Sequence, residues 1–366
     1  VADATKVLEV LGNSAGGVAK HVGEVAAALD GTDGRVVEVA GPRGLPVRIP
    51  QLRYEVRIPD GVALGHFRAT RKLRRIIAAG NYDVVHAHGL RAGVDAAGAG
   101  RGRGARVIVT LHNLALPGGS GVRSFLHAEA ERAVLALADV VVAPSGQIAE
   151  HLEELSPKHA DRIVRLHVAV PEPPPPRRTR EAVRAELGAG DGKHLVVTAA
   201  RLAPQKDLPT MIRAVASLED AVLAVLGDGP SRPELVDLID DLGVSDRVKL
   251  LGWRDDVYDY LRAADVFCLS SVWEAVSLSA QEAAQVGTPI VATDVGGIGE
   301  LVEDGASGRL VPVGDTGALA AALAEVLGSP GAGASFARAA GANLEARFGR
   351  AEMLARLRDL YGGAGE

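Results

Sequence analysis

The stretch Val266-Phe-Cys-Leu-Ser270-Ser-Val-Trp273-Glu274-Ala-Val-Ser277-Leu278-Ser-Ala-Gln-Glu282-Ala-Ala-Gln-Val286-Gly-Thr-Pro289-Ile-Val-Ala-Thr293-Asp-Val-Gly296-Gly297 decides the fold. Val266–Ser270 is a short apolar run that reads as a buried strand. A helix follows, opening in the Trp273–Glu282 segment and running to about Val286. A second apolar strand, 289–293, then leads into a Gly-Gly turn. Strand, helix and strand in this order build a parallel sheet. Glu274 lies just before the helix start and Glu282 roughly two turns inside it. At about 1.5 Å per residue, Ser277 to Glu282 spans roughly 7.5 Å. Unpaired amides at the helix start favour an anion such as a diphosphate. An inward-facing Glu282 would then lie about one ribose away and accept hydrogen bonds from its diol. The plainer reading is a pair of solvated helix glutamates.

Upstream, the strand His194-Leu-Val-Val-Thr-Ala199 ends in Ala200-Arg201-Leu-Ala-Pro-Gln-Lys206-Asp-Leu. Two cations therefore sit on a short loop at the carboxyl end of a parallel-type strand, where open α/β sheets bind ligands. A departing diphosphate needs positive charge as its own charge builds. At about 4 Å and an effective dielectric near 20, each contact is worth roughly 4 kcal/mol before desolvation. Arginine grips two phosphate oxygens at once, and lysine acts as a movable point charge.

These residues carry a resemblance. Arg201 with Lys206, Gly227-Asp-Gly-Pro230, Leu251-Gly252-Trp253, Ala264-Asp265, Glu274 with Glu282, and the segment from Gly287 to Gly297 resemble the carboxyl half of the family 4 retaining glycosyltransferases. In the amino half, Leu11-Gly-Asn-Ser-Ala-Gly16-Gly17 resembles that family's glycine loop. Asp83-Val-Val-His86-Ala-His88-Gly and Val109-Thr-Leu-His112-Asn113 resemble its middle strands. The resemblance implies the GT-B fold, two Rossmann-like doubly wound parallel-sheet domains facing a cleft. It implies an acceptor-binding domain over 1–170 and a nucleotide-sugar-binding domain over 171–348. A terminal helix in 349–366 is expected to cross back onto the first domain, although the sequence alone equally allows it to cap the second. It also implies that His112 contacts the donor sugar and that Trp253-Arg254 supplies backbone contacts to the base, uracil being the commoner case. One departure stands out. Where the family often has Gly-Phe-Pro or Gly-Phe-Gly, this chain has Ala275-Val276-Ser277, so the amides of Val276, Ser277 and Leu278 are left to face the phosphates.

Bulk properties fit two domains. At 366 residues the chain is long for a single core, and 47% hydrophobic with 23% charged residues is an ordinary globular composition. Alternating strand and helix patterns run through both halves. Strands are expected near 5–11, 35–39, 83–88, 106–112, 139–144 and 162–170. In the second half they are expected near 194–200, 221–227, 247–252, 266–270, 289–293 and 309–313. Val170-Pro-Glu-Pro-Pro-Pro-Pro176 separates the halves, because consecutive prolines form a stiff extended connector. A ligand for a proline-binding domain is the sharper alternative for that run. The cleft between the halves is the default ligand site. The lone cysteine, Cys268, lies in an apolar strand and reads as packing. No apolar run approaches the roughly 18 residues of a membrane span, and the first residues lack a signal pattern, so a cytoplasmic location is expected.

Charge is uneven. Residues 1–170 hold 21 Lys and Arg against 17 Asp and Glu, or +4, and the remainder holds 19 against 29, or −10. A positive first half suits an anionic acceptor or surface. Arg68, Arg71, Lys72, Arg74 and Arg75, with Phe67, Leu73, Ile76 and Ile77, read as a basic amphipathic helix. Its basic side is either a solvated face or a patch for anionic lipid at the inner face of the membrane. Nucleic acid fits poorly, since aromatics are 3% of the chain and none interleave the basic run.

Gly16-Gly17 either eases a tight turn or brings backbone amides close to a sugar diphosphate or the acceptor. The run lacks the Gly-x-Gly-x-x-Gly spacing of dinucleotide binding, which weakens an oxidoreductase reading. His86 and His88 point to one side of a strand, but no third and fourth ligand offers itself for a metal. No Asp-x-Asp pair is present to hold a divalent cation on a diphosphate. Neither metal nor cofactor is expected, because Arg201, Lys206 and helix-start amides supply the neutralising charge. The expected reaction is transfer of a sugar from a nucleoside diphosphate, UDP in the commoner case, to an acceptor hydroxyl. Retention of configuration is imported with the family. An epimerase-like enzyme of the same fold and a non-catalytic nucleotide-sugar-binding partner are the alternatives.

Overall fold

In the computed structural model, residues 4–13, 16–45, 47–60, 65–112, 122–190 and 192–362 are described, excepting the side chains of Val122 and Arg123. Asn113 of the middle-strand motif, Ser14 and Ala15 of the glycine loop, the first three residues and 363–366 lie outside the described residues. The chain divides into two compact units: unit 1, Val1–Ala169 with Arg350–Glu366, and unit 2, Val170–Gly349.

Unit 1 is built on seven parallel strands, β1 (Lys6–Leu11), β2 (Val36–Gly41), β3 (Leu52–Glu55), β4 (Val84–His88), β5 (Arg106–Thr110), β6 (Val140–Ala143) and β7 (Ile163–Arg165). Their order is β3-β2-β1-β4-β5-β6-β7. β3 was not among the expected strands. Its Leu-Arg-Tyr-Glu sequence is only partly buried at the sheet edge, so it lacks the apolar run that marks its neighbours. β7 is shorter than the expected 162–170, because the chain leaves the sheet after Arg165. Val7, Leu11, Val37, Val39, Val84, Ile108, Val140 and Val142 form one core with the helix Gly17–Leu29 and with Met353, Leu354, Leu357 and Tyr361 of the helix Arg350–Gly362. Buried positions 353, 357 and 361 follow the helical repeat, which brings Tyr361 inward and leaves Leu360 partly exposed.

Unit 2 repeats the plan with six parallel strands, β8 (His194–Ala199), β9 (Ala221–Leu226), β10 (Val248–Gly252), β11 (Val266–Leu269), β12 (Ile290–Thr293) and β13 (Arg309–Val311), in the order β10-β9-β8-β11-β12-β13. Strands such as Ala-Val-Leu-Ala-Val-Leu are buried at every position because helices cover both faces. The proline-rich connector is tied to this unit. Gln285 Nε2 donates to the Pro171 carbonyl at 2.9 Å. Cys268 is fully buried, and burial pushes its thiol up, as packing requires.

In each unit the strand order reverses beside the first strand, between β1 and β4 and between β8 and β11. At such a switch point the loops leaving two neighbouring strands part to opposite faces and open a crevice at the carboxyl ends. The Gly16-Gly17 turn falls at the first of these places and the Arg201–Lys206 and Glu274 loops at the second, while Trp253 and Arg254 follow the edge strand β10.

Candidate active site

At the switch point of unit 2, the loop after β8 meets the loop after β11. Val272 N–H donates to the Gln205 carbonyl at 2.8 Å, and Gln205 Nε2 donates to the Trp273 carbonyl at 2.7 Å. Ser270 Oγ donates to the carbonyls of Lys206 and Asp207 at 2.8 and 2.9 Å. Stitched this way, Lys206 forms an ion pair with Glu274, whose Oε1 also accepts from Ser271 Oγ at 2.6 Å. Glu274 is buried and Lys206 half-buried. Arg201, on the same loop, is exposed.

Two glycines let these loops approach. Gly296 has φ +54°, and a Cβ there would stand 1.5 Å from the Glu274 carbonyl oxygen. Gly227 has φ +135°, and its Cβ would stand 2.0 Å from the Ala200 carbonyl oxygen. Only glycine fits such positions. The Gly-Gly turn and the Gly-Asp-Gly turn are thus the backs against which the Glu274 and Arg201 loops rest.

The helix begins later than expected, at Leu278, and runs to Gln285. Residues 273–276 are loop, and Ser277 caps the helix by accepting from Ala280 N–H at 3.3 Å. Glu282 is therefore the fifth helical residue, nearer one turn in than two, and it is buried. Val276, Ser277 and Leu278 occupy the helix entrance. Just past the end of the edge strand β10, Trp253 is 57% exposed. The Arg254 guanidinium forks onto both Asp256 oxygens at 2.9 Å and lies over the Tyr260 ring, and these Asp256 hydrogen bonds push its ionisation up. Its side chain is thereby committed within the unit.

At the switch point of unit 1, Gly16 and Gly17 start the helix Gly17–Leu29 and are exposed. Beneath them lies a buried polar cluster on the carboxyl side of the core. Parallel register sets Glu9 opposite His86 and places His88 opposite Thr110. Glu9 Oε2 is 2.7 Å from His88 Nε2, and Glu9 Oε1 accepts from the Tyr361 hydroxyl at 2.6 Å. His86 Nδ1 is 2.6 Å from the same hydroxyl, and His86 Nε2 is 2.7 Å from Thr110 Oγ1. His112 Nε2 is 3.1 Å from His88 Nδ1, and the two rings stack. His21 packs edge-on against both. Burial first, and the electrostatic influence of neighbouring His88 second, lowers the ionisation of His21 to about 3 and that of His86 and His112 well below the usual range.

Glu9 corrects the expectation that no third ligand offers itself beside His86 and His88. Glu9, His86 and His88 place their ligand atoms within 4.8 Å of one another. Two ligands on a tetrahedral zinc, each about 2.0–2.1 Å from it, stand roughly 3.3 Å apart. The 2.7 Å contact of Glu9 with His88 is a hydrogen bond instead.

The helix Gly65–Gly80 exposes Arg68, Arg71, Lys72, Arg74 and Arg75 and buries Ala69, Leu73, Ile76 and Ile77. Phe67 does not join the buried stripe as expected. It is 71% exposed, on the side of the cations.

Residues 179–343 match the family described as glycosyl transferases group 1, and residues 16–169 match the glycosyl transferase 4-like domain. A D-inositol 3-phosphate glycosyltransferase of Catenulispora acidiphila is 30% identical over 391 aligned positions, covering 96% of this chain and 91% of that protein. The chain belongs to the group 1 glycosyl transferases. Other relatives of this group 1 glycosyltransferase are matched in part. The lipopolysaccharide core biosynthesis glycosyltransferase LpsE of Rhizobium meliloti is 33% identical over 52% of this chain and 54% of its own length. The D-inositol 3-phosphate glycosyltransferase of Mycolicibacterium smegmatis is 35% identical over 68% of this chain and 60% of its own. The chain thus spans little more than half the length of those two proteins.

Solved structures show the fold. The HepE protein of Anabaena, in complex with UDP and glucose, superposes with a TM-score of 0.83 at 22% identity, covering 98% of this chain and 99% of that one. A sucrose-phosphate synthase from Thermosynechococcus elongatus gives 0.82 at 20% identity, covering 98% of each. The group 1 glycosyltransferase therefore has the two doubly wound parallel-sheet domains of the GT-B class.

Proposed function

We propose that this chain transfers a sugar from a nucleoside diphosphate, UDP foremost, to an acceptor hydroxyl, with retention and without a divalent cation. The observation that carries the reading is the meeting of the Arg201–Lys206 loop with the Glu274 loop at the switch point of unit 2. An arriving diphosphate takes Lys206 from Glu274 and meets exposed Arg201 and the amides at the entrance of the helix 278–285. Glu274, released from the lysine, turns to the donor-sugar hydroxyls and steadies the positive charge of an oxocarbenium-like state. Glu282 holds the ribose, and the Trp253-Arg254 backbone meets the base. His112, Gly16 and Gly17 keep the roles that the resemblance gives them, His112 on the sugar and the glycines near the diphosphate or the acceptor. In a same-face displacement the departing phosphate oxygen takes the acceptor proton.

Solved relatives in fold carry UDP, UDP with glucose, and UDP-glucose, which supports a UDP-linked donor. The cyclitol phosphate in the names of several relatives makes a phosphorylated polyol the first acceptor to try. The exposed basic helix with Phe67 is proposed to rest on anionic lipid, which would place the protein at the inner face of a membrane. Among the described residues no helix is long and apolar enough to cross one.

The deciding experiment is donor turnover with and without EDTA, followed by NMR of the product's anomeric centre. Released UDP, undiminished by EDTA, and a retained configuration are expected. Inversion, or loss of turnover with chelator, overturns the respective part of the reading.

A further inference from the structure

We infer that Glu9 acts through His88 to hold the proton of His112 on Nδ1, making Glu9 and His88 positioning residues for the histidine that the proposed function sets against substrate. The inference rests on that function only for its consequence. The proton arrangement itself follows from counting donors in the buried cluster of unit 1.

The count starts at Tyr361. Burial, and next the neighbouring Glu9, keep its hydroxyl protonated, so that it donates to Glu9 Oε1 at 2.6 Å. The Tyr361 hydroxyl oxygen lies 2.6 Å from His86 Nδ1, which must then carry the hydrogen of that contact. His86 Nε2 is left to accept from the Thr110 hydroxyl at 2.7 Å. His86 is thereby a neutral ring in one fixed tautomer, in keeping with its lowered ionisation.

The Glu9 carboxylate has no exposed surface, and a carboxylate out of water requires a positive partner. The titratable and charged groups that face it or its neighbours are His21 from the helix 17–29, His86 and His88 from β4, His112 from the end of β5, Tyr361 from the helix 350–362, His167 beside His21 and His86, and Arg35, which acts on Tyr361 rather than on Glu9. Of the imidazoles, His88 meets Glu9 at 2.7 Å, while His86 stands at 3.5 Å. The positive charge therefore belongs on His88. It is this charge that, after burial, holds His21, His86 and His112 neutral.

A charged imidazole donates from both nitrogens. His88 Nε2 donates to Glu9, and His88 Nδ1 donates to His112 Nε2 at 3.1 Å. His112 Nε2 must accept, so the single proton of the neutral ring sits on Nδ1. The tautomer of a histidine is set by what its other nitrogen meets. Here that partner is two residues removed from the carboxylate that dictates it.

The test is long-range proton–nitrogen NMR on full-length chain labelled with ¹⁵N-histidine at neutral pH, signals being assigned by single His→Asn variants. Within the cluster, His88 alone is expected with both nitrogens protonated, and His112 with its bare nitrogen at Nε2. Glu9→Gln, which keeps the shape and removes the charge, is expected to cost His88 its second proton and to shift the His112 pattern. A wild-type His112 protonated at Nε2, or a His112 pattern indifferent to Glu9→Gln, overturns the inference. Should Glu9→Gln fail to fold, the wild-type pattern alone decides. Kinetics separate the two readings. Unchanged kcat and donor KM in His112→Ala would remove the substrate contact while leaving the NMR result standing.

Discussion

Lys206 and Glu274, 68 residues apart in the chain, form an ion pair that joins the loops leaving β8 and β11. Neither residue is free in this state, although each is assigned to a different part of the donor. Lys206→Ala is expected to lower transfer by about 10²–10³-fold, the scale of losing one contact to developing charge. It also leaves Glu274 buried beside Ser271 without its cation. A double-mutant cycle with Glu274→Gln should show coupling of roughly 0.5–3 kcal/mol in stability. Additive effects on thermal unfolding would mean that the pair does not hold the loops, and unchanged turnover in Lys206→Ala would remove Lys206 from the leaving group.

Gly296 supplies a sharper test of the same loops. A methyl group at 296 would collide with the Glu274 carbonyl, whereas one at 299 would come no nearer than 3.7 Å, to Asp294 Oδ1. Gly296→Ala is expected to abolish transfer and to cost more than about 1 kcal/mol of stability, since the backbone angle is also unfavourable. Gly299→Ala should retain both. Equal behaviour of the two variants would refute the role given to the close approach.

Much of the fold was legible because buried parallel strands are nearly uniform in apolar character, as in Ala221–Leu226 and Ile290–Thr293. β3 was not, since an edge strand with half-buried Leu52, Tyr54 and Glu55 and exposed Arg53 carries no such run. In unit 2 the loops were legible as motifs, while their mutual hydrogen bonds depend on strand order, which local sequence does not specify. The unit 1 cluster was harder. Glu9 interrupts the apolar strand Lys-Val-Leu-Glu-Val-Leu, and that interruption was the available signal. Its partners lie 79 and 352 residues away and are brought there by parallel register and by the closing helix. The apolar stripe of that helix was visible, but Tyr361 was hidden behind the more obvious Leu360.

The basic helix makes a prediction about surfaces. Each Lys or Arg near an anionic bilayer contributes about 1 kcal/mol, and the attraction falls within a Debye length. Co-sedimentation with phosphatidylserine vesicles is expected at low salt and should weaken as salt rises. Reversing Arg71, Lys72 and Arg75 to Glu should abolish it, and Phe67→Ala should weaken it with the charges intact. Equal binding to neutral vesicles would exclude the electrostatic reading.

Acid should expose the difference between the units. His21, His86 and His112 are held neutral in the folded chain, by burial first and then by the charge on His88. An unfolded chain takes up these protons once the pH falls below about 6.5, the ordinary histidine value, whereas folded His21 does so near 3. The unfolded state therefore binds more protons through that interval, and folding loses about 1.4 kcal/mol per pH unit for each such histidine. Above about pH 6.5 the three contribute no pH dependence. All three lie in unit 1, whereas both tryptophans, Trp253 and Trp273, lie in unit 2. On acidification, circular dichroism should lose amplitude before tryptophan fluorescence moves. His21→Leu removes one of the three protons and should delay that first loss. If fluorescence and dichroism changed together, and His21→Leu left the midpoint where it was, the buried histidines would not be the acid-sensitive element.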